Sequence, residues 1–369
     1  MYKSRIILIV FFIASLICQC SNRSDFESED YSFDGGPVEI IPVFPDEKYS
    51  RASISSMIQE FYIMAYSGTV KKGNNVRYYW TGTAWKASGL VSWPGMDTKI
   101  SFWALSHTFT NVDSLSNVKM TSKTQEFVYG IDSVKPKNLF FGSNLNTTKN
   151  KAKGAVRINF YGALAYPTFK CKLSASLKEA TVIINEIIVH NLAVSGKFAY
   201  HKTTSSSGTW TADKTKTGTF SQKLKTPVTV KYNSKSSVST LITDTNWVWI
   251  PQIPKKWTTT ASNPKSISYA DSMKQSYVEL KCQIIINGSY VWGGGTGALE
   301  YESVYIPFNS NFNKVNYNSS IVLTFDGGFM ADGKPLEPHE GDEFTLADWL
   351  VTDVSVDPWE EEEPEDLIF

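Results

Sequence analysis

The period of the apolar residues limits the fold of this chain more than any other feature. Short runs alternate apolar and polar side chains, as half-buried strands do, and helical spacing never persists for three turns. In AVRINFYGALA (155–165), Val156, Ile158 and Phe160 share one face while Arg157 and Asn159 take the other. FKCKLSASL (169–177) groups Phe169, Cys171, Leu173 and Ala175; SYVELKCQIII (276–286) groups Val278, Leu280, Cys282, Ile284 and Ile286. TVIINEIIV (181–189) is apolar except at Asn185-Glu186, where a bulge or a change of face is expected. Further strands are expected at VEIIPVF (38–44), IQEFYIMAY (58–66), KISFWALS (99–106), PVTVKY (227–232), WVWIPQI (247–253), SVYIPF (303–308), SIVLTFDGG (320–328) and WLVTDVSV (349–356). Many short strands separated by turn residues predict an all-β sandwich or barrel class.

A chain of 369 residues, 42% of them apolar, has room for two such units in succession. The composition turns polar around KTTSSSGTWTADKTK (202–216), which sets the expected division: one antiparallel β-sandwich over 37–202 and a second over 203–358. Residues 359–369 form an acidic tail in which EEEEPED (360–366) is kept extended by like-charge repulsion. Lysine plus arginine equals aspartate plus glutamate at 36 each, so net charge offers nothing to nucleic acid.

The first residues stand apart from the fold. Lys3 and Arg5 precede the apolar stretch Ile6–Ile17, which is shorter than the ~20 residues a membrane-spanning helix needs and has the size of a secretory core. It runs directly into Cys18 and Cys20 and so resembles a bacterial lipoprotein signal over 1–19. Cys20, with Ile17 three positions before it, is the favoured acylation site; Cys18 is the alternative. An acidic tether over 20–36, with Asp25, Glu27, Glu29 and Asp30, follows. A multiply acylated cysteine anchors firmly, which predicts a chain held on the outer membrane; the acidic tract resembles a lipoprotein surface-export signal, and that resemblance implies a place on the cell surface.

Catalytic signatures are absent. There is no HExxH, GxSxG or Walker loop, and His107, His190, His201 and His339 lack metal-pair spacing. No motif implies a cofactor. The glycine-rich GGGTG (293–297) has no following Lys-Ser/Thr and reads as a hairpin tip. Cys171 and Cys282 are the cysteines outside the signal. An exported chain can form disulfides, but both lie on apolar strand faces in different expected domains, which favours buried free thiols.

Taken together, several segments resemble the fimbrillin-like family of Bacteroidota, its pilins and minor fimbrial subunits. They occur in that family's order: VEIIPVF, SRA (50–52), FYIMAY, WPG (93–95), ISFWALS, VRINFYGALA, IINEIIVHNLAVSGKF (183–198), WIPQ (249–252), YVELKC, VYIPF and LADWLVTDVSVDPW (346–359). Tyr161-Gly162 and NKVNYNSS (313–320) depart from the usual pattern. The resemblance implies two transthyretin-like, Greek-key β-sandwiches and assembly by strand exchange. In the scheme that the resemblance implies, an arginine-specific protease cuts at Arg51–Ala52, the first strand leaves, and the C-terminal strand of another subunit fills the groove. Leu350, Thr352, Val354 and Val356, alternating along WLVTDVSV, are the donor residues in that reading; in the alternative the strand closes its own sandwich. Arg51 reads equally as a surface arginine. Ser114, Ser133 and Ser272 each sit in an Asp-Ser-apolar triplet of the kind to which these bacteria attach O-glycans. The implied partners are other fimbrial subunits and the outer membrane. The competing function is a surface glycan-binding lipoprotein, for which Trp210 and Trp257, in polar surroundings, are the expected exposed platforms.

Overall fold

The computed structural model describes residues 36–43, 58–235, 240–242, 247–255, 266–268, 275–297, 300–308, 318–325, 343–345 and 350–353. The regular structure of the described chain is nearly all strand, as the alternation requires; its helical pieces are α1 (Lys149–Ala152) and one 3-10 turn, Ala175–Leu177. Among the described residues no helix is long and apolar enough to cross a membrane.

The largest sheet has seven strands. In spatial order they are β1 (Glu39–Val43), β9 (Ala155–Gly162), β8 (Phe140–Thr147), β5 (Ile100–Leu105), β2 (Glu60–Ser67), β3 (Val70–Trp80) and β4 (Trp85–Ala87). Strand side chains alternate between faces, and here both faces of the central strands are buried. Phe61, Ile63 and Ala65 of β2, with Phe102 and Ala104 of β5, enter a core with Val38, Ile40, Val91, Trp93, Val156 and Ile158. Met64, Tyr66, Trp103 and Leu105 point the other way into a second, larger core. That is why FYIMAY and ISFWALS are apolar at nearly every position rather than at every other one.

The second face is covered by a four-stranded sheet of β13 (Gly208–Ala212), β12 (Ser195–Tyr200), β7 (Gln125–Gly130) and β6 (Leu115–Met120). Phe141 packs on Phe198 with ring centroids 4.9 Å apart. The Tyr66 hydroxyl donates to the Met120 carbonyl at 2.7 Å, and the Tyr200 hydroxyl to that of Ala104 at 2.7 Å. These two bonds join the layers while satisfying polar groups that would be costly to bury alone.

A second sandwich pairs two further sheets. One is β15 (Thr240–Ile242), β10 (Tyr166–Leu173), β20 (Asn318–Phe325) and β22 (Leu350–Asp353); β10 and β20 run parallel. The other is β14 (Thr217–Lys231), β11 (Ala180–Ala193), β17 (Tyr277–Ile286) and β18 (Ser289–Trp292), with β19 (Glu302–Pro307) also on β17. A separate pair joins β16 (Ser266–Ser268) to β21 (Glu343–Thr345). The bulge expected at Asn185-Glu186 is present as a register shift between Ile184 and Glu186 on both neighbours of β11.

The pairings do not follow the division expected at 202/203. That point falls in the β12–β13 turn, inside one sheet. β10 and β11 precede it yet pair with β20, β14 and β17 beyond it. The cause is local: β11 and β12 are separated by Val194 alone, so one extended run leaves one sandwich and enters the other. Val194 is fixed from both sides, its amide donating to Lys216 at 3.0 Å and its carbonyl accepting from Ile131 at 2.7 Å. Cys171 and Cys282, expected in different domains, accordingly share one continuous core; both are free and fully buried.

WVWIPQI also differs from its expectation. Instead of a strand it carries isolated bridge residues at Trp249, paired with Ala165, and at Gln252, and fills the core with Trp247, Trp249 and Ile250. The GGGTG glycines lie in the β18–β19 connection, while Asn287-Gly288, both at positive φ, form the tight β17–β18 turn.

Candidate assembly edges

Two of the short edge strands, β1 and β22, belong to the segments that the expected strand exchange involves. β1 lies at one end of the seven-stranded sheet and pairs in parallel with β9, from Glu39 opposite Ala155 to Val43 opposite Asn159. Val38, Ile40 and Pro42 face inward while Glu39 and Ile41 face out. The strand is also held on its other side: the Val38 amide donates to Val91 at 2.7 Å, and the Trp93 amide to Gly36 at 3.0 Å. β1 therefore covers apolar residues and closes a curled sheet, although it contributes only five residues.

β22 forms the edge of the sheet in the second sandwich. It runs antiparallel to β20, with Leu350 opposite Phe325, Val351 opposite Thr324, Thr352 opposite Leu323 and Asp353 opposite Val322. Four pairs are a short ladder, and its outer edge carries no further strand among the described residues.

Leu350 and Thr352 are thus placed on that edge. Cys18, Cys20, Arg51, Ala52, Trp257, Ser272, Val354 and Val356 lie outside the described residues. Ser114 is half-buried, with its hydroxyl 3.1 Å from His107 Nε2. Burial lowers the His107 pKa. Ser133 is half-buried in an Asp132 turn whose carboxylate accepts from the amides of Val134 and Lys135 at 2.9 and 3.3 Å.

Trp210 is not the exposed platform its polar neighbours suggested. Its Nε1 donates to the Ala163 carbonyl at 2.6 Å and its ring packs on Phe198. In strand β13 the polar neighbours take one face and Trp210 the other, so local composition misreported its surroundings. No described tryptophan is exposed: Trp93, Trp103, Trp247, Trp249 and Trp292 are buried, and Trp80, Trp85 and Trp210 are half-buried.

Two clusters were not singled out by the sequence reading. On the outer face of the β14–β11–β17–β19 layer, His190 Nε2 and Glu279 Oε2 are 2.7 Å apart, and the Ser303 hydroxyl donates to Glu279 Oε1 at 2.6 Å. The His190 ring stacks on Tyr277 at 4.4 Å. Burial alone would raise the Glu279 carboxyl; hydrogen bonds to His190 and Ser303 and the charges of His190 and Lys281 outweigh it and hold the carboxyl below its ordinary value. Cross-strand spacing of polar residues could have suggested this cluster only with the register known. The other cluster is a basic pocket of about 510 Å3 beside β1, with Lys151, Lys153 and Arg157 in its wall. Among the described residues no group of three or more His, Cys, Asp or Glu could hold a metal.

No family model and no curated protein matches the chain. Among solved structures it is similar to a fimbrial protein from Bacteroides vulgatus, at 14% identity and a TM-score of 0.53 over 84% of this chain and 99% of that one. It is also similar to a proposed cell adhesion protein from Bacteroides ovatus, at 11% identity and a TM-score of 0.42 over 87% of this chain and 100% of that one. Another from Parabacteroides distasonis has 12% identity and a TM-score of 0.42 over 91% of this chain and 94% of that one. The likeness to the Bacteroides vulgatus protein is one of fold: the chain has an all-β sandwich architecture shared with a fimbrial protein, consistent with its fimbrillin-like sequence features.

Proposed function

We propose that this chain is a non-enzymatic, lipid-anchored surface subunit of a fimbria that assembles by strand exchange. The observation that carries the reading is β1. It is a five-residue edge strand with Val38, Ile40 and Pro42 inward, and the segment that joins it to the rest of the chain contains the Arg51–Ala52 bond. Cleavage there frees a strand held by one ladder and two flanking bonds. Its departure uncovers Val91, Trp93, Val156 and Ile158 together with the unpaired edge of β9. An incoming strand with alternating apolar side chains satisfies both.

β22 has the matching chemistry. In the free subunit it caps its own β20 edge through four pairs; in the filament it is the strand given to the next copy, with Leu350, Thr352, Val354 and Val356 along one face. Acylation at Cys20, or at Cys18, holds the first subunit on the outer membrane. Ser114, Ser133 and Ser272 are the proposed glycan attachment points. Against the glycan-binding alternative stands the lack of an exposed tryptophan among the described residues.

N-terminal sequencing of surface filaments tests the reading. A start at Ala52 supports exchange into a vacated groove. A uniform acylated cysteine start means the subunit keeps β1, and absence of the chain from filaments overturns the proposal. Val354→Asp separates the two roles of the last strand: a folded monomer that no longer assembles supports donation, and loss of folded protein assigns it to the core.

A further inference from the structure

We infer that the basic pocket beside β1 receives the acidic run Glu360–Asp366 of a second copy of this chain. The pocket is built by a tight reversal. Thr148 caps the single turn of α1, accepting from the Lys151 amide at 3.3 Å. Lys153 then adopts φ 48° and Gly154 φ 107°, turning the chain back into β9. The reversal sets Lys151 and Lys153 beside Arg157, two residues into β9, around a cavity of about 510 Å3. Asn144, Thr147 and Ile41 also line it. Ile41 is the cross-strand partner of Arg157 and is 39% exposed.

The wall holds three cations and no acid. Glu39, on the outer face of β1 two residues before Ile41, is not part of it. Lys151, Lys153 and Arg157 form no ion pair with any described residue. A chain with 36 basic and 36 acidic residues has no net charge to explain such a cluster. The same chain carries an opposite concentration, Glu360 to Glu363, Glu365 and Asp366, which is six acids in the seven residues 360–366. Complementary patches of this kind fix partner and register more than they add raw affinity.

The choice of a second copy rests on the strand-exchange reading. The acidic run begins four positions after Val356, the last residue of the proposed donor strand. Along β9, Ala155 lies at the pocket end and Asn159 at the far end. A donor strand laid antiparallel to β9 finishes beside Ala155 and delivers the run to Lys151, Lys153 and Arg157; a parallel one delivers it to the opposite end. Lys151 lies in α1, Lys153 in the turn after it and Arg157 in β9, so all three remain when β1 leaves. The pocket thus acts as a direction key: it favours the antiparallel entry of the donor.

The test uses a fluorescent peptide of residues 357–366 titrated into the folded chain and read by anisotropy. The peptide lacks 350–356, so its result is independent of strand exchange. Binding is expected at low salt, weakened about tenfold or more by Lys151→Glu, Lys153→Glu and Arg157→Glu together, and similarly by high ionic strength. A peptide with its glutamates replaced by lysine should regain binding to the charge-reversed chain. Because reversal could disturb the turn, the triple glutamine variant, checked for unchanged thermal unfolding, provides a second measure and should bind more weakly than the unaltered chain. Equal affinity for the unaltered and altered chains overturns the inference, as does equal affinity for a scrambled acidic peptide. If the peptide binds only after the chain's own Glu360 to Glu363 are changed to glutamine, the run occupies its own pocket and the second-copy form is overturned. Failure of Val354→Asp to block filaments while the peptide still binds would sink strand donation and leave the pocket standing.

Discussion

Val38 donates its amide hydrogen to the carbonyl of Val91 at 2.7 Å, and through that bond the start of the first strand is tied to the segment that follows β4, the strand at the far end of the seven-stranded sheet. β9 holds it along one edge and the 91–93 segment holds it on the other. An edge strand is ordinarily open on one side; this one is a seam. Its removal therefore opens a curled layer, a larger change than shortening a sheet by one strand.

Ile40, 4% exposed within that seam, gives a direct measure of its hold. Ile40→Ala in the uncleaved chain should cost about 2–5 kcal/mol in denaturant unfolding, the range for emptying a packed site of that size. A loss below about 0.5 kcal/mol, the scale of an ordinary surface change, would show that β1 does not stabilise the subunit.

The Glu279 cluster should impart an acid-sensitive contribution. Its folded carboxyl sits below its ordinary value of 4.5. The stabilisation is therefore complete above that value and is lost as pH falls through the lower folded value. The stability difference between the native chain and Glu279→Gln should be largest near neutral pH and shrink steadily below about pH 4.5. A difference that is flat with pH would mean that the carboxylate charge is not what His190 and Ser303 hold.

Burial pushes the Cys171 thiol up to about 12 and raises Cys282 as well, the latter also through its neighbours Cys171 and Glu302. Thiolates are the reactive form, so alkylation at pH 8 should label neither residue in the folded protein and both in denaturant. Labelling of either in the native state would place it outside the core. Native material in which the two thiols stay silent even in denaturant, and appear only after reduction, would mean that they are joined.

Gly142 on β8 leaves room for the close approach of β9. A Cβ there would meet the Asn159 carbonyl and the Ile158 side chain. Gly142→Ala should lower stability by about 1–3 kcal/mol through overpacking and loosen the β8–β9 pairs Phe140–Gly162 to Gly142–Phe160. Thermal unfolding and amide exchange across 155–162 would report it; unchanged protection there would show that the layer yields freely.

The legibility of this fold in the sequence follows from how each strand is buried. AVRINFYGALA and FKCKL bury one face each, and their alternation located β9 and β10; Ala175, expected on the same inward face, is instead exposed at the start of the 3-10 turn that ends the strand. β3, written VKKGNNVRYYW, was missed because only Gly73, Val76 and Tyr78 turn inward and the rest is polar. WVWIPQI was expected as a strand, and its apolar residues are indeed buried, but as a plug between layers; composition reports burial and not hydrogen bonding. Period-two patterns contain no record of which sheet a strand joins, so the crossing at Val194 could not be read. The basic pocket depends on the left-handed turn at Lys153, and nothing in the spacing of residues 151, 153 and 157 announces that turn.

That crossing sets a constraint on how the molecule comes into being. β10 and β11 emerge ahead of β12 and β13, yet Tyr166 of β10 must wait for Asn318 of β20, while the earlier four-stranded layer must wait for Ala212 to be complete. The first sandwich is not built from one continuous stretch of chain: β10 and β11 are released in the middle of it. Such long-range pairing makes folding slow and leaves unpaired edges exposed meanwhile. The first sandwich is complete only at Ala212, and the second gains its last described strand only at Asp353, so β10 and β11 stay without part of their layer while the first sandwich closes around them.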